Sequence, residues 1–221
     1  MIEVTYIDHM GSDLSVVNAA RVSFGKKSEA LGEVGIGDDP IMVPVLHDND
    51  VRLIRYLAKH KHKSPFNHAF ATFHVKAPIF VARQLVKHEY MPWNEISRRY
   101  VDDEPEFYVP DVWRGRSADK KQGSEGVVDV GDWGDTNWAC LTAYKDLLEH
   151  GVAPEQARMV LPQSTMTEWY WSGSLFAFAK MCGLRLKDDT QYETRLVAQE
   201  IEDYMMDIYP NSWEALRMYD D

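Results

Sequence analysis

The densest group of side chains that could bind a ligand lies in residues 82–101. Its first part predicts a helix face that carries Arg83, Gln84, Lys87 and His88. The turn after Pro92 then offers further polar groups within seven residues: Asn94, Glu95, Ser97, Arg99 and Tyr100. Cations of this kind bind phosphate, and fixed donors and acceptors suit the carbonyl and N–H groups of a uracil-like ring. The pattern predicts a nucleotide site, although a surface helix followed by a salt-bridged turn would have the same spacing.

The local charge of this region points in the same direction. Residues 51–100 hold ten Lys and Arg against two acidic residues, in a chain whose formal net charge is −11. Cations gathered against the overall sign indicate an anionic ligand, because local charge sets the field that a ligand meets. The acidic remainder argues against binding of duplex nucleic acid, which needs many phosphate contacts. A single-stranded nucleic-acid module that stacks bases on Phe70, Trp93 and Tyr100 remains an alternative.

Length and composition predict a globular protein. The 221 residues are 45% hydrophobic and are interpreted as one domain spanning 1–221, with loop insertions at about 25–48 and 111–135. No apolar run reaches the ~20 residues of a membrane span, and the N-terminus lacks a signal-peptide pattern, so a cytoplasmic setting without a membrane partner is expected. Two cysteines are too few for a disulfide framework or a cysteine-based zinc site.

Hydrophobic periodicity places the candidate residues on a mixture of helices and strands. Predicted strands cover 1–8, 68–77, 106–110 and 166–171. The first predicted helix is capped by Ser12 or Asp13 and ends at Gly25, and further helices are predicted over 49–60, 78–90, 136–150 and 154–161. A short helix is predicted to end at Gly183. The last predicted helix begins at a Thr190–Glu193 capping box and reaches about Tyr209. Residues 25–48 are interpreted as a long loop, and 114–135 as a polar surface insertion. The fold class is α+β.

Other reactive side chains have simpler explanations. Ser97 lacks an identifiable His–Asp relay and is interpreted as a ligand-contacting hydroxyl. Cys182 lies in an apolar helix, where a free cysteine usually acts as a small hydrophobic residue. The spacing of His60, His62 and His68 is poor for one metal ion, so no metal site is predicted.

The segment SPFNHAFATFHVKAPIFVARQLVKHEYMPWNEISRRY resembles the signature region of the flavin-dependent thymidylate synthases. The family pattern is Arg-His-Arg, seven residues and then Ser, extended as Asn-Glu-x-Ser-x-Arg-Tyr. Lys87-His88-Glu89 occupies the triplet here, and residues 94–100 match the extension in full. Four more segments resemble the family in the family's order: MGSDLSVVNAARVSF, EFYVP, GVAPEQARMVLP and Gly-Leu-Arg at 183–185.

This resemblance implies a fold, a reaction and an assembly. The fold would be an antiparallel sheet flanked by helices, and the protein would be a homotetramer that binds FAD where subunits meet. It would convert dUMP to dTMP, taking a methylene group from methylenetetrahydrofolate and reducing equivalents from NADPH through the flavin. No nucleic acid would be involved.

The resemblance also assigns site residues, one position at a time. It implies dUMP contacts from Arg83, Gln84, Lys87, Glu95, Ile96, Ser97, Arg98, Arg99, Arg158 and Arg185. It implies FAD contacts from His62, Ser64, Lys87, His88, Glu89, Glu95, Ser174 and Lys180. Arg185 matches the arginine that draws N3 of the uracil toward its ionised form, a role suited to a guanidinium that stays charged. His74 is either structural or close to the flavin.

Two departures from the family pattern bear on the cofactor. Lys87 keeps the charge of the family arginine but loses its bidentate fork, and Glu89 reverses a charge. Lys63 or Lys180 could rebalance the site. The departures leave open a variant that makes a modified pyrimidine nucleotide, or one that binds nucleotide without turnover.

Overall fold

The computed structural model describes residues 1–36, 41–101, 103–119, 123–131 and 134–219. The strands are β1 Glu3–Met10, β2 Gly32–Ile36, β3 Ile41–Val45, β4 Phe70–Pro78, β5 Trp93–Glu95, β6 Arg114–Arg116, β7 Ser124–Val127 and β8 Met166–Ser174. The helices are α1 Asp13–Arg21, α2 Asp48–Lys59, α3 Ile79–Leu85, α4 Gly134–Glu149, α5 Pro154–Ala157, α6 Leu175–Arg185, α7 Tyr192–Ile208 and α8 Pro210–Met218. Short 3₁₀ turns cover 22–24, 64–68 and 158–160.

An antiparallel sheet with strand order β1-β4-β8-β5 forms the centre of the fold. Along β4, side chains alternate between a buried face that includes Phe73 and Val75 and a half-buried face that includes His74. The register pairs Phe73 with Trp171 and Val75 with Trp169, so large apolar side chains of neighbouring strands share one face. The strand predicted over 68–77 and the α+β class are both confirmed.

Two helices cover the buried face of the sheet. Phe178 and Met181 on α6, and Val197 and Ile201 on α7, are completely buried in the same cluster as Phe73. Burying such side chains stabilises a fold by about 1.5–3 kcal/mol each. This packing fixes the C-terminal end of α6 relative to the sheet, and that end carries a candidate site residue.

Two segments predicted as loops contain hairpins. β2 pairs with β3 within 25–48, and β6 pairs with β7 within 114–135, whereas residues 37–40, 120–122 and 132–133 lie outside the described residues. The loop predictions were wrong because exposed two-stranded ribbons are held by backbone hydrogen bonds and need no alternation of hydrophobic residues. The end of the second segment also forms the first turn of α4.

Two predicted elements of the central region are shorter than expected. The helix predicted over 78–90 ends at Leu85, and Tyr90 adopts a left-handed backbone with φ of 60°. The chain can therefore turn so that Trp93–Glu95 joins the sheet edge beside β8. The strand predicted over 106–110 is reduced to a single bridge between Phe107 and Thr165.

The helix ends after residue 180 differ from the sequence predictions. α6 continues through Gly183 to Arg185, and the Thr190 hydroxyl donates to the Leu184 carbonyl and does not cap α7. The N-cap of α7 is Gln191, and Glu193 is instead buried in an ion pair with Arg114. These side chains bind tertiary partners that the local pattern could not reveal.

Helix α8 follows the predicted end of the last helix. Pro210 starts it, and the Asp13 carboxylate accepts hydrogen bonds from the backbone N–H groups of Asn211 and Ser212 at 2.8 and 2.9 Å. An acidic residue at a helix N-terminus satisfies donors that have no intrahelical partner. Within the described ranges, no helix is both long enough and apolar enough to cross a membrane.

Candidate active site

A cleft of about 760 Å³ lies where the chain leaves α3 and where α6 begins and ends. Six of the predicted site residues line it: Lys87, His88, Glu89, Ser174, Lys180 and Arg185. The first three follow the end of α3, and the others lie at the start, in the middle and at the last residue of α6. The fold therefore brings together residues separated by about a hundred positions in sequence.

Arg185, which lines this cleft, is held by two protein acceptors. Its Nε donates to Nε2 of His88 at 3.1 Å, and its Nη2 donates to the backbone carbonyl of Gln84 at 3.0 Å. Arginine has only donors, so Nε2 of His88 must accept and the imidazole proton must sit on Nδ1. Burial, reinforced by Arg185 and Lys180, lowers the pKa of His88 to about 4, which agrees with a neutral ring. Burial also lowers the pKa of Arg185.

Ser174 closes the start of α6. Its hydroxyl accepts from the backbone N–H of Ala177 at 3.2 Å and donates to Oδ1 of Asn67 at 2.7 Å. Ser174 is therefore an N-cap that also ties α6 to the 3₁₀ turn before β4. This predicted cofactor contact lines the cleft at a junction held by two hydrogen bonds.

The cleft carries an excess of positive charge. Lys63 also lines it, and Nζ of Lys63 lies 5.4 Å from the centre of the Phe176 ring. Both lysines considered as compensating cations, Lys63 and Lys180, thus lie in the same cleft as Glu89. With Lys87 and Arg185, four cations and one carboxylate line the cleft, a composition suited to a ligand with more than one negative charge.

Glu95 lies on β5, at the edge of the sheet. Its Oε1 accepts from the Thr167 hydroxyl at 2.7 Å, and its Oε2 accepts from Nε1 of Trp93 at 3.0 Å. Trp93 stacks on the buried Trp169 with ring centres 4.3 Å apart. The exposed carboxylate is therefore fixed in direction while it remains open to a ligand.

The turn after Glu95 carries the other predicted motif residues. Nε of Arg99 donates to the Ser97 hydroxyl at 3.3 Å, and Nη1 of Arg98 donates to the Asp103 carbonyl at 2.6 Å. The backbone N–H of Ile96 donates to the Glu168 carbonyl at 2.9 Å. Ile96 and Arg98 line a small cavity of about 100 Å³ that shares no lining residue with the large cleft.

The remaining predicted residues lie outside the large cleft. Arg158 is exposed and its Nε donates to the Glu155 carbonyl at 3.3 Å, while Arg83 and Ser64 are exposed on α3 and on the 3₁₀ turn. The Gln84 side chain donates to Gln191 in another cleft, of about 590 Å³. His62 lines a cleft of about 210 Å³ whose wall includes Lys63, Phe176 and Lys180, which also line the large cleft.

The other side chains considered in the sequence take part in the core or in contacts within the protein. Cys182 is completely buried and its thiol donates to the Ala198 carbonyl at 3.5 Å. Trp169 and Trp171 are core residues, and His74 lies 3.4 Å from Glu168 on the outer face of the sheet. Among the described residues there is no group of three or more His, Cys, Asp or Glu that could hold a metal ion.

Sequence reasoning missed several residues that support the site. Thr167 and Trp93 hold Glu95, and Phe176 and Asn67 line the large cleft. Trp93 had a detectable signal, because residues two apart on a strand share a face. Thr167 and Asn67 are distant in sequence from their partners, so only the fold could reveal them.

Known proteins match nearly the whole length of this chain. A flavin-dependent thymidylate synthase of Thermus thermophilus is 38% identical over 216 residues, which cover 96% of this chain and 74% of the relative. That of Thermosipho africanus is 37% identical, covering 95% and 88%. The crystal structure of a UMP/dUMP methylase, PolB from Streptomyces cacaoi bound with 5-Br dUMP, has a TM-score of 0.83 and 32% identity, covering 99% of this chain and 96% of PolB.

The family match agrees with these relatives. The family described as thymidylate synthase complementing protein matches residues 5–211, which include both the large cleft and the turn after Glu95, here called the β5 turn. The chain therefore belongs to the thymidylate synthase complementing protein family.

Proposed function

We propose that this protein is an enzyme that methylates C5 of the uracil ring of dUMP in a flavin-dependent reaction. The observation that carries the proposal is Arg185, a guanidinium that is fixed by two acceptors and lines a cleft with three further cations. Family membership and the dUMP analogue bound by PolB support the choice of a uridylate.

The lining of the large cleft fits a flavin dinucleotide. Lys63, Lys87 and Lys180 would hold the diphosphate, and Phe176 offers an aromatic surface to a planar ring. The volume of about 760 Å³ is within the usual range for bound cofactors. The flavin would supply the two-electron redox chemistry, and we propose FAD as its form.

The chain's own residues would bind and polarise the nucleotide. Arg185 would stabilise negative charge that develops on the uracil ring, which makes C5 more nucleophilic. Glu95 would accept a hydrogen bond from the ring or the ribose, and Arg99 with Ser97 would contact phosphate. We propose methylenetetrahydrofolate as the donor of the one-carbon unit and NADPH as the source of reducing equivalents.

The proposed reaction is tested by release of tritium from [5-³H]dUMP with the folate and NADPH present. Methylation at C5 replaces the hydrogen there, so the wild-type protein is expected to release tritium. Arg185→Ala is expected to lower the rate at least about 100-fold, the scale for loss of a charged transition-state contact. A yellow, flavin-bearing protein that releases no tritium would refute the reaction and leave a nucleotide binder without turnover.

A second substrate is favoured by one comparison. PolB is described as acting on both UMP and dUMP, and it resembles this chain over almost its full length. We therefore propose UMP as a second substrate, to be tested beside dUMP under identical conditions. Release from [5-³H]UMP within about tenfold of the dUMP rate would identify a methylase of both nucleotides, and a much larger ratio would restrict the enzyme to dUMP.

A further inference from the structure

The two hydrogen bonds of Arg185 lie along one edge of its guanidinium. Nε and Nη2 donate to His88 and to Gln84, and across the described ranges Nη1 makes no hydrogen bond to protein. The five N–H groups of arginine are fixed in a plane, so occupation of one edge determines where the others point. The Nη1 end therefore remains for a ligand in the cleft that Arg185 lines.

The two acceptors differ in how firmly they are fixed. The Gln84 carbonyl belongs to the last turn of α3, where it is part of the helix backbone. His88 follows the end of that helix, and its ring is half-buried with its centre 6.3 Å from that of Trp171. The orientation of Arg185 thus depends on one backbone group and one side chain, and only the side chain can be changed by substitution.

We propose that His88 is a positioning residue for the reaction: its neutral imidazole holds Arg185 by accepting from Nε, so that the Nη1 end faces the uracil. This inference rests on the proposed function and assigns His88 a role beyond flavin contact. The ring shares the large cleft with charged groups: Arg185 and Lys180 on α6, and Lys87 and Glu89, which are its neighbours in the chain. Burial of the ring, reinforced by Arg185 and Lys180, lowers the pKa of His88 and keeps the imidazole neutral, which is the form that can accept.

The experiment compares His88→Leu, which removes the acceptor, with His88→Gln, which retains a neutral acceptor at similar reach. We expect His88→Leu to lower kcat for tritium release by about 10- to 100-fold, because a hydrogen bond to a charged group is lost. His88→Gln is expected to recover activity to within about fivefold of wild type. FAD affinity, measured by flavin fluorescence, is expected to change less than about threefold in both.

Two controls make the comparison specific. His47→Leu, an exposed histidine at the start of α2, is expected to behave as wild type in every measurement. The double variant His88→Leu/Arg185→Ala is expected to be no slower than Arg185→Ala alone, because His88 acts through Arg185.

Three outcomes would overturn the inference. They are a His88→Leu protein as active as wild type, additive losses in the double variant, and loss of FAD from His88→Leu that His88→Gln does not restore. If the wild-type protein releases no tritium, the proposed reaction fails and radiolabelled dUMP binding decides the positioning role. A fall in dUMP affinity of about tenfold in His88→Leu with recovery in His88→Gln would support it, and unchanged affinity would overturn it.

Discussion

At the scale of single residues, the two groups that would face the uracil are held in different ways. Arg185 donates to a helix carbonyl and to an imidazole, whereas Glu95 accepts from a threonine hydroxyl and an indole N–H. Each functional charge thus has two hydrogen bonds to groups of known direction. Such support lowers the reorganisation needed when a ligand binds.

The depressed pKa of His88 predicts a pH-dependent stability. The folded protein binds fewer protons than the unfolded chain between the folded pKa of about 4 and the ordinary value of 6.5, so stability rises with pH across this window. After allowance for solvent screening, the contribution is about 1–2 kcal/mol. Urea unfolding from pH 4.5 to pH 7 measures it.

His88→Gln provides the matched control for this titration, because glutamine does not ionise. The difference in unfolding free energy between wild type and His88→Gln is expected to shift in favour of wild type as pH rises. A difference that is constant over the whole pH range would show that His88 keeps an ordinary pKa.

Glu89 is expected to limit cofactor affinity. Glu89→Arg removes the only carboxylate among the residues lining the large cleft in the described structure, and it adds a cation. The dissociation constant of FAD is therefore expected to fall by about 3- to 10-fold at low salt, and less at high salt, since screening weakens the effect. Equilibrium dialysis with absorbance detection measures the retained flavin.

Glu149→Arg makes the same charge change at the exposed end of α4 and serves as the control. It is expected to leave FAD affinity unchanged. Tight FAD binding that is the same in wild type and Glu89→Arg would mean that Lys63 and Lys180 already compensate fully for the reversed charge.

At the scale of elements, the sequence predicted the helices and strands that carry a regular spacing of hydrophobic residues. β4, α2 and α7 bury regular apolar stripes, and their positions were predicted to within a few residues. The β6–β7 hairpin was missed because its strands are held by backbone pairing, and α8 was missed because its N-terminus depends on Asp13, about two hundred residues away. Local patterns cannot report partners at that distance.

In the candidate site, too, the local sequence indicated residues, whereas their contacts with distant residues depend on the fold. The motif indicated which residues to examine, and the structure places His88 and Arg185 in the large cleft. The hydrogen bond between them could not be predicted, because it needs the end of α3 and the end of α6 at a defined distance. Thr167 was missed for the same reason.

The β6–β7 hairpin is expected to depend on a buried ion pair. Arg114 on β6 pairs with Glu193 on α7, whose side chain is 5% exposed, and its guanidinium lies 4.4 Å from the Tyr192 ring centre. Arg114→Met leaves that carboxylate buried without its cation, which is expected to cost about 3 kcal/mol of unfolding free energy. Urea denaturation measures the loss.

Arg116→Met, on the same strand but exposed, is the matched control and is expected to change stability by less than about 0.5 kcal/mol. The double change Arg114→Met/Glu193→Gln is expected to recover part of the loss, since the buried charge is also removed. Equal stability of Arg114→Met and Arg116→Met would show that the pair contributes little.

At the scale of the whole molecule, the predicted site residues of one chain are divided between separate surfaces. Arg185 and His88 lie in the large cleft, while Arg99 lies on the β5 turn and Arg158 is exposed near α5. In an assembly of several copies, surfaces from different copies would together supply these contacts to one nucleotide. In the homotetramer that the family resemblance implies, symmetry would repeat each composite site.

Complementation between variants tests this composite site. Arg185→Ala and Arg99→Ala are each expected to be nearly inactive in the tritium-release assay. When the two variants are co-expressed with different tags and purified through both, some sites would combine the intact cleft of one copy with the intact turn of its partner. We expect partial recovery of activity in these mixed assemblies, because each variant supplies the arginine that the other lacks.

The matched control is Arg185→Ala co-expressed with His88→Leu, whose two changes fall in the same cleft. A site built from one large cleft and a partner's turn would then always contain one of the two defects, so no recovery is expected. Size-exclusion chromatography with light scattering gives the number of copies in each assembly. If mixed assemblies form and neither mixture recovers activity, one copy supplies every contact. The β5 turn that carries Arg99 would then have to reach the large cleft of its own chain.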